Sequence, residues 1–251
     1  MTTLSRLRLD DLLVDRGLAE TRARAQALVA AGLVEVDGVR ADSAALAVGV
    51  DAGIRLTDRH HPWVGRGGLK LDAALDQFRI DCSGRVCLDA GASTGGFTDV
   101  LLHRGAHLVY AVDVGHGQLH RRLAADPRVR VLDRTNVRTL ARLDGPTPTL
   151  VTLDLSFISL RAVLPNLALL APVAEVVALF KPQFEVPRDA VQRGGVVRDA
   201  AATATALNDF VRWAHDTLAA TGMGDPVPAG VRGAKGNQEW LVHLRLPGEP
   251  G

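Results

Sequence analysis

Lysine is almost missing from this chain. Of its 29 basic residues only three are lysine, at Lys70, Lys181 and Lys235. Arginine serves nearly everywhere else a cation is placed, so each lysine asks for a reason. Cysteine is as scarce. Cys82 and Cys87 are too few for a disulfide framework or a four-thiolate metal site. An excess of one charge is also missing. The net charge is +1, so any nucleic-acid-binding patch must be local. No apolar run is long enough for a membrane. The longest, 162–180, is broken by Pro165, Asn166, Pro172 and Glu175, and a span needs about 20 mostly apolar residues. Arg6, Arg8, Asp10 and Asp11 stand where a signal peptide would be apolar. Together these absences point to a cytoplasmic, reducing setting.

The 251 residues are 47% apolar and 23% charged. That balance fits a soluble globular chain of one large domain or two unequal ones. Residues 1–60 read as a small α+β unit. Leu9, Leu12, Leu13 and Val14 form a helical stripe ended by Gly17, and Thr21 can cap a second helix that Gly32 ends. Val34 to Val36 and Ile54 to Leu56 read as short strands. Through Arg66 the unit holds nine arginines and nine acidic residues. Arg6, Arg8, Arg16, Arg22 and Arg24 fall at the helix starts, either as one binding face or as an ordinary solvated face. His60 to Val64 reads as a hinge, placing a linker at 61–66.

From residue 67 to 247 the pattern changes. Short apolar runs at 86–88, 108–112, 129–132, 150–155 and 176–180 alternate with helical stretches, and 240–246 offers a last strand. The 162–180 stretch reads as a core helix followed by a buried strand, and 199–220 as a long helix. The alternation implies an α/β domain, a mostly parallel sheet with helices on both faces.

The first strand of this unit runs into Asp89-Ala-Gly91-Ala-Ser93-Thr94-Gly95-Gly96. A Gly-rich turn between strand and helix lets a ligand approach the backbone. It is neither G-x-G-x-x-G nor a P-loop. Asp113, at the end of the second strand, suits a ribose hydroxyl or a helix cap. Without a pyrophosphate motif, a nicotinamide dinucleotide is the second choice. S-adenosylmethionine is favoured, since its cationic groups suit carboxylates such as Asp89. The fourth strand ends at Asp154 and the fifth at Lys181, so both face the ligand side of the sheet. Lys70 lies upstream and Glu239 starts the last strand. Lysine can lose its proton when desolvated beside a second cation, and arginine cannot. Lys181 is therefore the expected base for a ribose hydroxyl, with the alternative of a structural ion pair. Asp154 and Glu239 would tune it, and Lys70 would orient the substrate oxygen. His116 and His120, four apart, lack a third metal ligand. Ser156 and Ser159 read as helix caps.

At these residues the chain resembles the TlyA family, often labelled haemolysin A. The matching segments are 66–71 (RGGLKL), 88–98 (LDAGASTGGFT), Asp113 to Gly115 with Gly117 to Leu119, 134–136 (RTN), 154–160 (DLSFISL), 181–186 (KPQFEV), 194–197 (GGVV) and Gly236-Asn237 with Glu239. The resemblance implies an FtsJ-like, Rossmann-like methyltransferase domain that methylates a ribose 2'-hydroxyl of a ribosomal RNA cytidine. It implies a catalytic tetrad of Lys70, Asp154, Lys181 and Glu239. It assigns Asp89, Gly91, Ser93, Thr94, Gly95, Gly96, Asp113 and Asn136 to the S-adenosylmethionine site, Asn136 near the adenine. It implies an S-four RNA-binding domain in front, making Arg6, Arg8, Arg22, Arg24 and Arg66 RNA-binding candidates. Leu69, His116 and Pro187 depart from the family pattern. The short C-terminus points to the narrower, large-subunit range. The competing readings are a catalytically silent rRNA-binding assembly factor and, behind it, a membrane-active haemolysin.

Overall fold

The computed structural model describes residues 6–56, 61–233 and 235–248. The chain opens with β1 (Arg6–Arg8), which runs into α1 (Leu9–Asp15). After Gly17, in the left-handed region at φ +69°, comes α2 (Arg22–Ala30). Its cap is Thr21, whose side chain accepts from the Arg24 amide. Strands β2 (Val34–Val36), β3 (Val39–Arg40), β4 (Ala47–Gly49) and β5 (Ile54–Leu56) follow. β3, β2 and β5 form one antiparallel sheet, and β1 pairs antiparallel with β4. Leu9, Leu13, Ala25 and Val34 close a separate small core. The pairing of β1 with β4 was not legible in sequence. Arg6 and Arg8 were expected at a helix start, and they lie instead on a strand set by a partner some forty residues on.

The expected hinge at 60–64 divides differently. His60 lies outside the described residues. Trp63 and Val64 are buried in the larger core, and the Val64 amide donates to Asp99. The Trp63 ring meets His103 edge to face at 5.2 Å. These two residues pack as part of the large unit.

That unit begins with α3 (Gly67–Phe78) and continues through β6 (Val86–Ala90), α4 (Gly96–His103), β7 (Leu108–Val112), α5 (Arg121–Ala124) and β8 (Val129–Leu132). Next come β9 (Leu150–Leu153), α6 (Leu164–Leu170), β10 (Glu175–Phe180), α7 (Pro182–Glu185) and α8 (Ala200–Leu218). The short strands β11 (Thr221–Gly222) and β12 (Val227–Pro228) precede β13 (Trp240–Arg245). The sheet order is β11-β13-β10-β9-β6-β7-β8, with β12 also on β13. From β10 through β9, β6 and β7 to β8 every pairing is parallel. β13 joins antiparallel.

Alternation along the strands builds two cores. Leu88, Tyr110, Val151, Val176 and Val242 face α6 and α8. Cys87, Val109, Leu150, Val177 and Leu241 face α3 and α4. The chain leaves β6 toward β7 on one side and returns to β9 on the other. This reversal of strand order opens a crevice at the C-terminal ends of β6 and β9, where open α/β sheets bind ligands.

Candidate active site

The loop after β6 lies beside the loop after β9. The Asp154 amide donates to the Ala90 carbonyl at 3.0 Å. Gly91, at φ +85°, is needed for this approach, since a Cβ there would sit 2.6 Å from the Asp154 carbonyl oxygen. Gly96 plays the matching part between helices, where a Cβ would lie 3.0 Å from the Gly68 amide nitrogen of α3. The Gly-rich loop thus brings β9 and α3, with their side chains, to one cavity of about 420 Å³. That volume lies in the small-molecule range. Its wall includes Lys70, Asp154, Lys181 and Glu239 together with Gly91, Ser93, Thr94 and Gly96.

The four charged residues form two ion pairs. Lys70 Nζ lies 2.5 Å from Glu239 Oε2, and Lys181 Nζ lies 2.6 Å from Asp154 Oδ1. Both lysines are only 8% exposed. Lys181 also donates to Ser156 Oγ at 3.1 Å. Burial alone would raise the Asp154 carboxyl, but Lys181 and Lys70 hold it below the ordinary carboxylate range. Asp154 therefore feels both lysines, and the pairs act as one cluster. Ser159 caps the short helical turn after it by accepting from the Arg161 amide, as expected. Ser156 instead serves as a partner of Lys181.

Asp113 accepts from the Ser93 amide at 2.8 Å and the Gly115 amide at 2.7 Å. It ties the Gly-rich loop to the end of β7. A carboxylate offers about four acceptor sites, so ribose hydroxyls still have acceptors there. Asn136 is exposed in the loop after β8, its side chain accepting from the Arg138 amide. Neither residue lines the cavity.

Asp89 departs from expectation. It is fully buried, with Thr98 Oγ1 donating at 2.6 Å and Thr152 Oγ1 at 3.2 Å. Burial pushes its carboxyl up to about 7. The direct partnership with a cofactor cation expected of Asp89 is not available to a carboxyl sealed beneath the loop. Strand alternation explains it: Asp89 follows Leu88 and so points toward α4, with Cys87.

The front-unit arginines are placed unevenly. Arg8 and Arg22 both converge on the buried Asp10, which Gln26 also donates to. Arg6 is exposed and Arg24 half-buried. Arg66 lines the cavity, and its Nε is buried without a hydrogen-bond partner among the described residues. Ala30 and Ala31 of the front unit line the same cavity. His120 caps α5, and His116 Nδ1 lies 3.0 Å from Asp133.

Sequence reasoning missed several wall residues. Phe157, at φ +65° and 87% exposed, stands beside Phe184 with ring centroids 5.5 Å apart. Gln183, Arg232 and Lys235 also line the cavity. In a chain with only ten Phe, Trp and Tyr residues, two phenylalanines next to strand-end charges were the available signal.

Comparison with known proteins gives the same picture. The FtsJ-like methyltransferase family matches residues 63–246, and the S4 domain matches residues 7–54. The chain is 47% identical over 246 residues to the 16S/23S rRNA (cytidine-2'-O)-methyltransferase TlyA of Mycobacterium tuberculosis, covering 96% of this chain and 90% of that one. It is 36% identical to Hemolysin A of Brachyspira hyodysenteriae, covering 95% and 99%. A solved Streptococcus thermophilus structure, provisionally named a hemolysin, superposes with a TM-score of 0.75 at 38% identity, covering 99% and 91%. With its sheet, its glycine loop and its two ion pairs in place, the chain belongs to the FtsJ-like methyltransferase family and carries an S4 domain in front.

Proposed function

We propose that this protein methylates the 2'-hydroxyl of a cytidine ribose in ribosomal RNA, presented in a ribosomal subunit. The observation that carries this reading is the pair of lysine–carboxylate contacts beside the Gly-rich loop. The cytidine and the RNA come from the names of two relatives, matched over 96% and 76% of this chain. S-adenosylmethionine is the methyl source, and the residues present fit it. The loop from Gly91 to Gly96 offers backbone to the cavity, and Asp113, which accepts from the Ser93 amide of that loop, keeps acceptors for ribose hydroxyls. When bound, it supplies an electrophilic methyl group on a sulfonium.

The chain's own residues then do the following. Lys70, held by Glu239, orients the 2'-oxygen for in-line approach. Lys181 takes the hydroxyl proton through its neutral amine. Asp154, kept ionised by the two lysines, holds Lys181 in position. Bound RNA excludes water from the cavity. Phe157, projecting beside Phe184, offers a face on which an unstacked base can lie. We divide the chain into a front RNA-gripping module at 1–60, a junction at 61–66 and a catalytic module at 67–247. By packing, Trp63 and Val64 side with the catalytic module.

The test is transfer of labelled methyl to separated ribosomal subunits that lack the modification. Label in a 2'-O-methylcytidine, lost in Lys181→Ala, is the expected result. Absence of label on either subunit, from protein that still binds S-adenosylmethionine, would leave RNA binding alone. The hemolysin name of some relatives has no structural counterpart in a spanning helix: among the described residues no helix is long and apolar enough to cross a membrane.

A further inference from the structure

The cavity wall carries more positive charge than catalysis uses. Five cations line it, Arg66, Lys70, Lys181, Arg232 and Lys235, against two carboxylates, Asp154 and Glu239. Each carboxylate is already taken by a lysine at 2.5–2.6 Å. Among the described residues, Arg66, Arg232 and Lys235 form no ion pair. A surplus of three charges in one concavity, with the cofactor adding a cation of its own, calls for an anionic ligand.

The surplus cations are held by built structure. Arg232 Nη1 donates to the Gly236 carbonyl at 2.9 Å, closing the turn that presents Lys235. Within that turn the Gly236 amide donates to Gly233 and the Gly233 amide to Asn237. Asn237 is 2% exposed and clamps the neighbouring loop, accepting from the Val197 amide and donating to the Gly195 carbonyl. The Lys235 amine lies against Gly195, where a Cβ would come within 2.9 Å of Nζ. Arg66, which lines the same cavity, lies against Gly32 of the front unit. Burial and the nearby Arg40 guanidinium lower its proton affinity, while Asp42 and Glu239 attract it only from a distance.

We infer that Arg66, Arg232 and Lys235 form an anion subsite that holds a backbone phosphodiester of the RNA strand next to the target ribose. Arg66 supplies a planar fork and Lys235 a compact point charge, the two ways proteins grip phosphate. This gives the cation at Lys235, which stands outside the two lysine–carboxylate pairs, a partner in the cavity. The inference rests on the proposed RNA methylation and assigns positioning residues to it. The cofactor's own carboxylate is the other source of an anion, so the experiment separates the two.

Lys235→Gln and Arg66→Met are compared with wild type in single-turnover methylation of the ribosomal subunit, as a function of RNA and salt concentration. S-adenosylmethionine affinity is measured in parallel by calorimetry. Wild-type transfer must be seen first; its absence overturns the proposed reaction rather than this subsite. The expected result is a roughly tenfold rise in half-saturating RNA for each variant, larger than any fall in the saturated rate. The dependence of log affinity on log salt should flatten by about 0.7–0.9 for each lost phosphate contact. Lys235→Arg should restore much of the RNA affinity. Weakened S-adenosylmethionine binding with unchanged RNA affinity would assign the cations to the cofactor carboxylate and overturn the inference. Unchanged RNA affinity and salt slope would overturn it equally, leaving solvated charges.

Discussion

A lysine held between a carboxylate and a serine hydroxyl is fixed in direction as well as in place. Lys181 has Asp154 at 2.6 Å and Ser156 at 3.1 Å, so its lone pair, once free, has one open direction. Charge alone does not serve the proposed role. Lys181→Arg keeps the cation but cannot accept a proton at neutral pH. Single-turnover transfer should fall by at least a hundredfold, with S-adenosylmethionine affinity retained. Phe157 works by area instead. Base–aromatic stacking contributes about 1–3 kcal/mol, so Phe157→Ala should raise half-saturating RNA roughly tenfold without altering cofactor binding. Asp89 makes a prediction of a different kind. Its carboxyl sits at about 7 in the folded chain against an ordinary 3.8. Folding therefore takes up a proton between those values, and this group's contribution to stability declines as pH rises from about 4 to about 7. The slope is at most about 1.4 kcal/mol per pH unit. Denaturant titrations across that range should show Asp89→Asn removing this decline.

At the scale of elements, the side chains proposed for catalysis depend on how strand ends are tied together. Glu185, at the end of α7, accepts from Ser159 Oγ and the Leu160 amide, each at 2.7 Å. It joins the loop after β10, which starts at Lys181, to the loop after β9, which starts at Asp154. Burial raises its carboxyl. Glu185→Gln keeps the shape but offers only one acceptor oxygen for two donors. We expect about 1–3 kcal/mol of lost stability and a lower saturated methylation rate, read by thermal unfolding and single-turnover kinetics. The strands carrying this site were legible because each is a short apolar run ended by glycine or a charge. The loop ties were not. Ser156 reads as a cap in sequence, and only the return of β10 beside β9 gives it Lys181 as a partner. Arg8 and Arg22 likewise read as free surface cations, because nothing in sequence shows that Asp10 is buried between them.

At the junction of the front and catalytic units, Trp63 and Val64 are buried in the core of the larger one. Trp63 is 5% exposed and leaves no room for a side chain at Gly68. Trp63→Ala should cost about 3–5 kcal/mol in the unfolding of the catalytic unit, visible as a separate fall of its transition by calorimetry. A true hinge residue would show almost none of this loss.

Composition and order determined much of this protein without a structure. Alternating apolar runs and helical stretches specify a parallel sheet, because strands buried on both faces must be apolar throughout. The position of Lys181 and Asp154 at strand ends specifies the ligand side. The scarcity of lysine singles out Lys70 and Lys181, which the fold pairs with Glu239 and Asp154. The tertiary structure alone decided which charges meet. Lys70 and Glu239 are 169 residues apart in the chain, and their pairing depends on α3 and β13 packing at one end of the sheet. It also decided that Asp89 is sealed, that Arg66 reaches the front unit, and that Lys235 joins the cavity wall. Such facts depend on distance and exclusion of water between remote segments, and local sequence encodes neither.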